Sequence, residues 1–153
     1  MVNTTLCYIE KDGAYLMLHR VKKENDLNRD KWVGIGGKLE AGESPHECAM
    51  REIKEETGLV ATDLQYRGLV TFVSEKYGTE YMHLFTVKSF SGDLIDDCNE
   101  GVLEWVDKSQ VTSLPIWEGD KIFLELLNGE TRFFSLKLVY DKDDALVSSK
   151  IDI

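Results

Sequence analysis

An α/β fold, with a mixed β-sheet flanked by helices, is what this 153-residue sequence predicts, and three observations predict it. The stretch "TTLCYIEKDGAYLMLHR" sets Asp12-Gly13 between two apolar runs, a strong hairpin signal. Residues 45–57 carry the start and stop signals of a single helix. Beyond them, strand-like and helix-like segments are interspersed and some strand pairs read as hairpins, which favours a mixed sheet over an all-parallel one.

The elements follow in order. The opening stretch gives two strands around Asp12-Gly13. "VKKENDLNRDK" is polar and mixed in charge and reads as a loop, and "GIGGKLEAGES" is glycine-rich and irregular. Ser44 is a good helix N-cap, Pro45 suits the first helical position, and Glu47 completes a capping box. Gly58 is a natural residue just past the helix end. "LQYRGLVTFVSE" and "YMHLFTVKSF" read as strands with a turn near Tyr77-Gly78, and "GVLEWV" (Gly101 to Val106) as a further strand. A second helix is expected from Glu118 to Leu127, closed by Asn128-Gly129, and "FFSLKLVY" and "ALVSSKID" as a terminal hairpin.

No internal repeat or linker interrupts the chain, so residues 1–153 are expected to form one domain. A chain of this length buries roughly two thirds of its unfolded surface and needs no disulfide to fold. Cys7, Cys48 and Cys98 are odd in number and show no metal-binding spacing, so they read as buried apolar residues in a reducing, cytoplasmic setting. The N-terminal residues lack the basic and apolar regions of a signal peptide, and no apolar run is long enough to span a membrane. A net charge of −10 argues against binding a nucleic acid polymer or an anionic membrane. A single small anionic ligand remains compatible, provided that cations offset the surroundings.

The helix at 45–57 breaks a local rule. Ala49, Met50 and Ile53 are expected on its apolar face, while Glu52, Glu55 and Glu56 crowd another arc near its C-terminus. Like charges at those spacings destabilise a helix by about 0.2–0.5 kcal/mol per pair, and acids in the last turn oppose the helix dipole. Such a conflict is either a solvated face neutralised by Arg51 and Lys54 or a functional site. Hard oxygen ligands on one rigid face suit Mg2+ or Mn2+.

Gly37, Glu43, Arg51, Glu52, Ile53, Glu55, Glu56, Gly58 and Leu59 spell G-x5-E-x7-R-E-U-x-E-E-x-G-U, with U a bulky aliphatic. This resembles the Nudix box at every constrained position, and the order of elements resembles the Nudix fold, an α/β/α sandwich around a mixed sheet. The resemblance implies a hydrolase of nucleoside diphosphate derivatives. It implies Glu52, Glu55, Glu56 and the Gly37 carbonyl as metal ligands, and Glu43 paired with Arg51 as structural support. Glu55 and Glu56 are the helix candidates for accepting a proton from the attacking water. Glu100 reads by itself as a loop acid. In several Nudix enzymes a glutamate from the corresponding loop, shortly before a tryptophan like Trp105, joins the metal site as ligand or base.

The chain further resembles the MutT-like branch that acts on oxidised purine nucleoside triphosphates. "KWVGIGGK" is similar to its W-N-G-F-G-G-K, and "IWEGDKIFLELL" to its W-P-D-D segment and following helix. By themselves Trp117 is a core aromatic and Asp120 a first-turn helix acid. The resemblance makes Trp117 the base-stacking residue and Asp120 an acceptor for the base edge, with Phe72 a pocket wall. Two departures stand out: Val33 replaces an asparagine, and Gly119 replaces the first of two adjacent aspartates. Lys23 is the chosen phosphate contact from the cluster His19, Arg20, Lys22 and Lys23. The substrate expected is a modified purine nucleoside triphosphate such as 8-oxo-dGTP, cleaved to monophosphate and pyrophosphate with Mg2+ as cofactor. One alternative is a dinucleoside polyphosphate, for which Tyr77 is the sequence hint; another is a non-catalytic nucleotide sensor, a class that commonly loses box glutamates.

Overall fold

A computed structural model describes residues 1–22, 28–95, 98 and 100–153. The strands are β1 (Val2–Lys11), β2 (Ala14–His19), β3 (Trp32–Val33), β4 (Val60–Ser74), β5 (Gly78–Ser91), β6 (Val102–Asp107), β7 (Phe134–Tyr140) and β8 (Leu146–Asp152). The helices are α1 (Pro45–Thr57), α2 (Lys108–Val111) and α3 (Asp120–Leu127). The strands run in the order β3-β2-β1-β5-β4-β7-β8, with β6 also on β2. β1 and β5 are parallel, as are β4 and β7, and the remaining pairs are antiparallel. The sheet is therefore mixed, as expected.

The first hairpin forms and then opens. Asp12 and Gly13 both take positive φ, 50° and 79°, the signature of a type I′ turn. Yet β1 and β2 pair only at Glu10↔Tyr15 and Lys11↔Ala14. β1 then runs beside β5, from Val2↔Glu80 to Ile9↔Val87, while β2 pairs along its length with β6. The edge that β2 vacates is filled by the glycine-rich segment. Ile35 exchanges backbone hydrogen bonds with Cys7 (2.6 and 2.9 Å), and the Gly37 carbonyl accepts from Thr5 N–H at 2.9 Å. A Cβ on Gly36 would stand 1.8 Å from the Thr5 carbonyl oxygen, so only glycine lets this segment lie so close to β1.

α1 occupies the expected residues, with its capping box complete. Ser44 Oγ accepts from Glu47 N–H at 3.1 Å, and Glu47 Oε1 accepts from Ser44 N–H at 2.9 Å. Gly58 ends the helix at φ 81° and donates to the Lys54 carbonyl. The buried face is Cys48, Ala49, Ile53, Glu56 and Thr57. Met50 is corrected: it is 37% exposed, because the contact stripe is centred on the 49–53–56 line and Met50 lies about 100° around the helix from it. Placing Glu56 on the inward stripe is what brings a carboxylate to the sheet.

Alternate residues of one strand feed opposite layers. Cys7 and Ile9 join Ala49 and Ile53 in one core cluster, while Tyr8 joins Phe123, Leu124 and Leu127 in the other. α1 and α3 thus cover opposite faces, which makes the α/β/α sandwich. β4 and β5 are longer than the sequence signals suggested, and α3 starts at Asp120 rather than Glu118. β6 lies one residue later than expected. The short α2, capped by Asp107 Oδ1 accepting from Ser109 N–H at 2.9 Å, had no clear sequence signal, and neither did the two-residue β3. The terminal hairpin forms as expected, with β7 laid parallel along β4. The three cysteines are free and buried. Among the described residues no helix is long and apolar enough to cross a membrane.

Candidate active site

The crowded end of α1 is organised by Arg51. Its Nε and Nη2 grip both oxygens of Glu43 at 2.7 and 2.9 Å. Its Nη1 reaches Glu52 at 2.6 Å and Glu55 at 3.2 Å, with Glu40 at 3.7 Å. Nη2 also donates to the Lys38 carbonyl at 3.1 Å, tying the glycine-rich loop to the helix. Hydrogen bonding to Arg51 holds the Glu43 carboxyl down at about 2. The expected Glu43–Arg51 pair is present, and Arg51 serves two further box glutamates besides.

Glu56 lies outside that network. It is only 7% exposed and accepts from the Gly36 N–H at 3.3 Å. Burial raises its pKa strongly, and the Glu100 carboxyl beside it reinforces the shift. Glu100 is in turn held by Arg20 Nη1 at 2.9 Å. Burial also pushes Glu52 up, against the pull of Arg51. Carboxyls pressed together away from water need a shared proton or a cation.

These donors fit a hard divalent ion: all are oxygens, and they come from rigid elements. Among the described residues no three acidic or imidazole side chains already converge on one point, because Glu52 and Glu55 turn to Arg51. The backbone groups of the glycine-rich segment divide between two sides. The Gly37 carbonyl is engaged by Thr5 N–H, with the Cys48 thiol 3.6 Å away. In an extended segment a residue's N–H and C=O point to the same side. The Gly36 peptide, whose N–H reaches Glu56, therefore faces the carboxylates and the Gly37 peptide faces β1. Strand parity, invisible in a glycine-rich sequence, sets which peptide faces which side.

The carboxylates open into a cleft of about 420 Å³. Glu52, Glu100, Arg20, Gly36 and Gly37 line it, together with Val33, Phe72, Trp117, Asp120 and Asn28. Glu55 is turned outward and does not line the cleft, and Glu56 lies behind the wall. Trp117 Nε1–H donates to Asn28 Oδ1 at 2.7 Å, its ring stands edge-to-face with Phe72 at 5.2 Å, and the Lys31 ammonium lies 4.8 Å from its centroid. Asp120 is 6% exposed, and burial pushes its carboxyl up to about 8 despite the opposing Lys31 charge.

The four base-pocket residues expected from the sequence thus share one cleft. Lys23 lies outside the described residues; Arg20, from the same basic cluster, lines the cleft instead. Tyr77 is 42% exposed at the β4–β5 turn with Lys76 against its ring, and it does not line the cleft. Asn28 and Lys31 were given no role: Lys31 opens the "KWVGIGGK" stretch but precedes its matched tryptophan, and Asn28 meets Trp117 across 89 residues of sequence.

A family model described as "NUDIX domain" matches residues 2–127. The chain is 29% identical over 152 residues to "Uncharacterized Nudix hydrolase YvcI" of Bacillus subtilis, covering 97% of this chain and 92% of that protein. It is 29% identical over 151 residues to "Oxidized purine nucleoside triphosphate hydrolase" of Danio rerio, again covering 97% and 92%. The crystal structure of a MutT protein from Bacillus halodurans superposes with a TM-score of 0.88 at 28% identity, covering 99% of this chain and 98% of that one.

Proposed function

The chain belongs to the Nudix family, and from that premise we propose that this Nudix hydrolase cleaves a purine nucleoside triphosphate, of the oxidised 8-oxo-dGTP type, to monophosphate and pyrophosphate. One observation carries the reading: a single cleft joins a carboxylate wall at Glu52 and Glu100, backed by Glu56, to an aromatic slot closed by a buried acid at Trp117 and Asp120. Its volume of about 420 Å³ lies within the range of small-ligand sites. The zebrafish protein named for oxidised purine nucleoside triphosphates aligns over nearly the whole chain and supports the same substrate class.

Nudix hydrolases generally use divalent metals. Glu52, Glu56 and Glu100 would hold Mg2+ or Mn2+, with Gly36 rather than Gly37 as the backbone contributor and Glu55 on the outer side. Bound there, such an ion neutralises phosphate oxygens and makes water more acidic. The protein groups do the rest. Arg51 holds Glu52 and the loop in place, Arg20 brings a positive charge to the phosphate end, and Glu56 or Glu100 accepts the proton of the attacking water. Trp117 presents an aromatic surface to the base, and stacking on such a surface is worth about 1–3 kcal/mol.

Asp120 reads the base edge. With its carboxyl raised to about 8 by burial, it is neutral at pH 7 and offers one O–H donor and one C=O acceptor. That pair matches a guanine-type edge of ring N–H and carbonyl. It also tolerates an adenine-type edge, since no second acid stands at Gly119 to impose a fixed pattern. Because the folded pKa is raised above the ordinary 3.8, the stability tied to Asp120 is fully present below 3.8 and lost as pH rises through about 8. Above that pH the O–H donor is gone, and adenine-type nucleotides are expected to lose more kcat/KM than guanine-type ones. Asp120→Asn should flatten that pH dependence, and Asp120→Ala should compress base discrimination by about tenfold, the worth of one buried hydrogen bond. An unchanged substrate ranking in Asp120→Ala would return Asp120 to a purely structural role.

The deciding experiment is kcat/KM with Mg2+ for 8-oxo-dGTP, dGTP, dATP and a dinucleoside tetraphosphate, following pyrophosphate release. The expected order puts 8-oxo-dGTP first. Preference for the dinucleoside compound, or no turnover of any nucleotide, overturns the reading.

A further inference from the structure

Tyr140 belongs to β7, beyond residues 2–127 that the family model matches, and it does not line the cleft. Its hydroxyl oxygen nevertheless accepts the Gly119 N–H at 2.7 Å, with both residues buried. Gly119 is the N-cap of α3 and brings no side-chain cap of its own, so the phenol supplies the acceptor there. The two positions require each other. A Cβ on Gly119 would stand 2.7 Å from the Tyr140 oxygen and 2.5 Å from Leu138 Cδ1. The phenol therefore fills the volume in which a side chain at 119 would begin. Asp120 follows directly. On the other side, the Tyr140 ring stands edge-to-face with Trp117 at 5.0 Å and tilted against Phe72 at 5.0 Å. One side chain thus touches the peptide that launches Asp120 and the ring of Trp117.

We propose that Tyr140 is the positioning residue of the base slot, its hydroxyl fixing the Gly119 peptide and its ring fixing Trp117, so that the C-terminal hairpin sets base selectivity. This rests on the nucleotide reading given above. It assigns Tyr140 no contact with the base and no part in cleavage.

The test compares wild type with Tyr140→Phe, which keeps the ring and removes the hydroxyl. Each is assayed on 8-oxo-dGTP, on dATP and on ribose 5′-triphosphate, which carries no base. Binding of 8-oxo-dGMP is measured in parallel by calorimetry with a chelator present. Losing one buried hydrogen bond is expected to raise KM for 8-oxo-dGTP about five- to tenfold and to weaken 8-oxo-dGMP binding to match. kcat and every constant for ribose 5′-triphosphate should stay within about twofold, and the ratio between 8-oxo-dGTP and dATP should shrink. Gly119→Ala, which intrudes on the same volume, should show the same split. Equal losses with and without a base would make Tyr140 merely structural and overturn the proposal, as would wild-type constants in Tyr140→Phe. A wild type that binds 8-oxo-dGMP but turns over nothing refutes the hydrolase reading, while the calorimetry still decides Tyr140. A wild type that binds no nucleotide overturns both.

Discussion

Replacing Glu56 with glutamine is expected to lower kcat by about a thousandfold, within the span that a positioned acid–base group contributes, while the fold survives. The shapes are the same, and the amide can remain against the Gly36 peptide. The informative part is stability without metal. Wild type holds a carboxyl on the inward stripe of α1, beside a second carboxyl at Glu100, and burial penalises its charged form. Glutamine removes that penalty, so the variant should melt higher than wild type in chelator. In millimolar Mg2+ the order should reverse, because only the wild type gains from an ion that binds the folded state. Calorimetric melts with and without Mg2+ read both signs. A Glu56→Gln enzyme with near wild-type turnover, or one destabilised in chelator, would remove Glu56 from the metal and proton chemistry.

Arg51→Lys is expected to cost about ten- to a hundredfold in kcat/KM, the usual cost of losing a residue that orients metal ligands. The charge is kept, so only the geometry is tested. Arg51 divides its donors: two to the carboxylate of Glu43, one to Glu52 and Glu55, and a share to the Lys38 carbonyl. A lysine ammonium is a point donor without a planar fork and cannot hold the loop and two helix acids together. The Mg2+ concentration for half-maximal rate should rise, because Glu52 loses its fixed orientation. Unchanged Mg2+ dependence would show that Arg51 serves only the loop.

What could be read from the sequence follows the range of the interactions. α1 was legible to the residue because Ser44, Pro45, Glu47 and Gly58 act within a few positions of one another. The turn at Asp12-Gly13 was legible for the same reason. The separation of β1 from β2 was not, since it depends on β5 arriving from more than 70 residues away. Met50 was misplaced because a short helix leaves the centre of its apolar stripe to whatever packs against it. In the site, Glu52 and Glu56 stood out by themselves as like charges crowding the end of α1, while Glu100, Val33, Phe72, Trp117 and Asp120 were named from the motif resemblance. Asn28, Lys31 and Tyr140 had no such signal, because their roles exist only once distant strands have met.

The parallel pairing of β4 with β7 has a consequence for how the protein is made. Gly68↔Phe134 through Ser74↔Tyr140 join segments more than 60 residues apart, and α2 and α3 lie between them in the chain. Pairings that close long loops form late. During synthesis, β1, the glycine-rich segment, α1 and Glu100 all leave the ribosome before Tyr140 does. A nascent chain therefore holds its acidic cluster before it has a floor beneath Trp117. β7 supplies Phe134, Leu136, Leu138 and Tyr140 to the core cluster that contains Tyr8 and Phe123, the layer opposite α1.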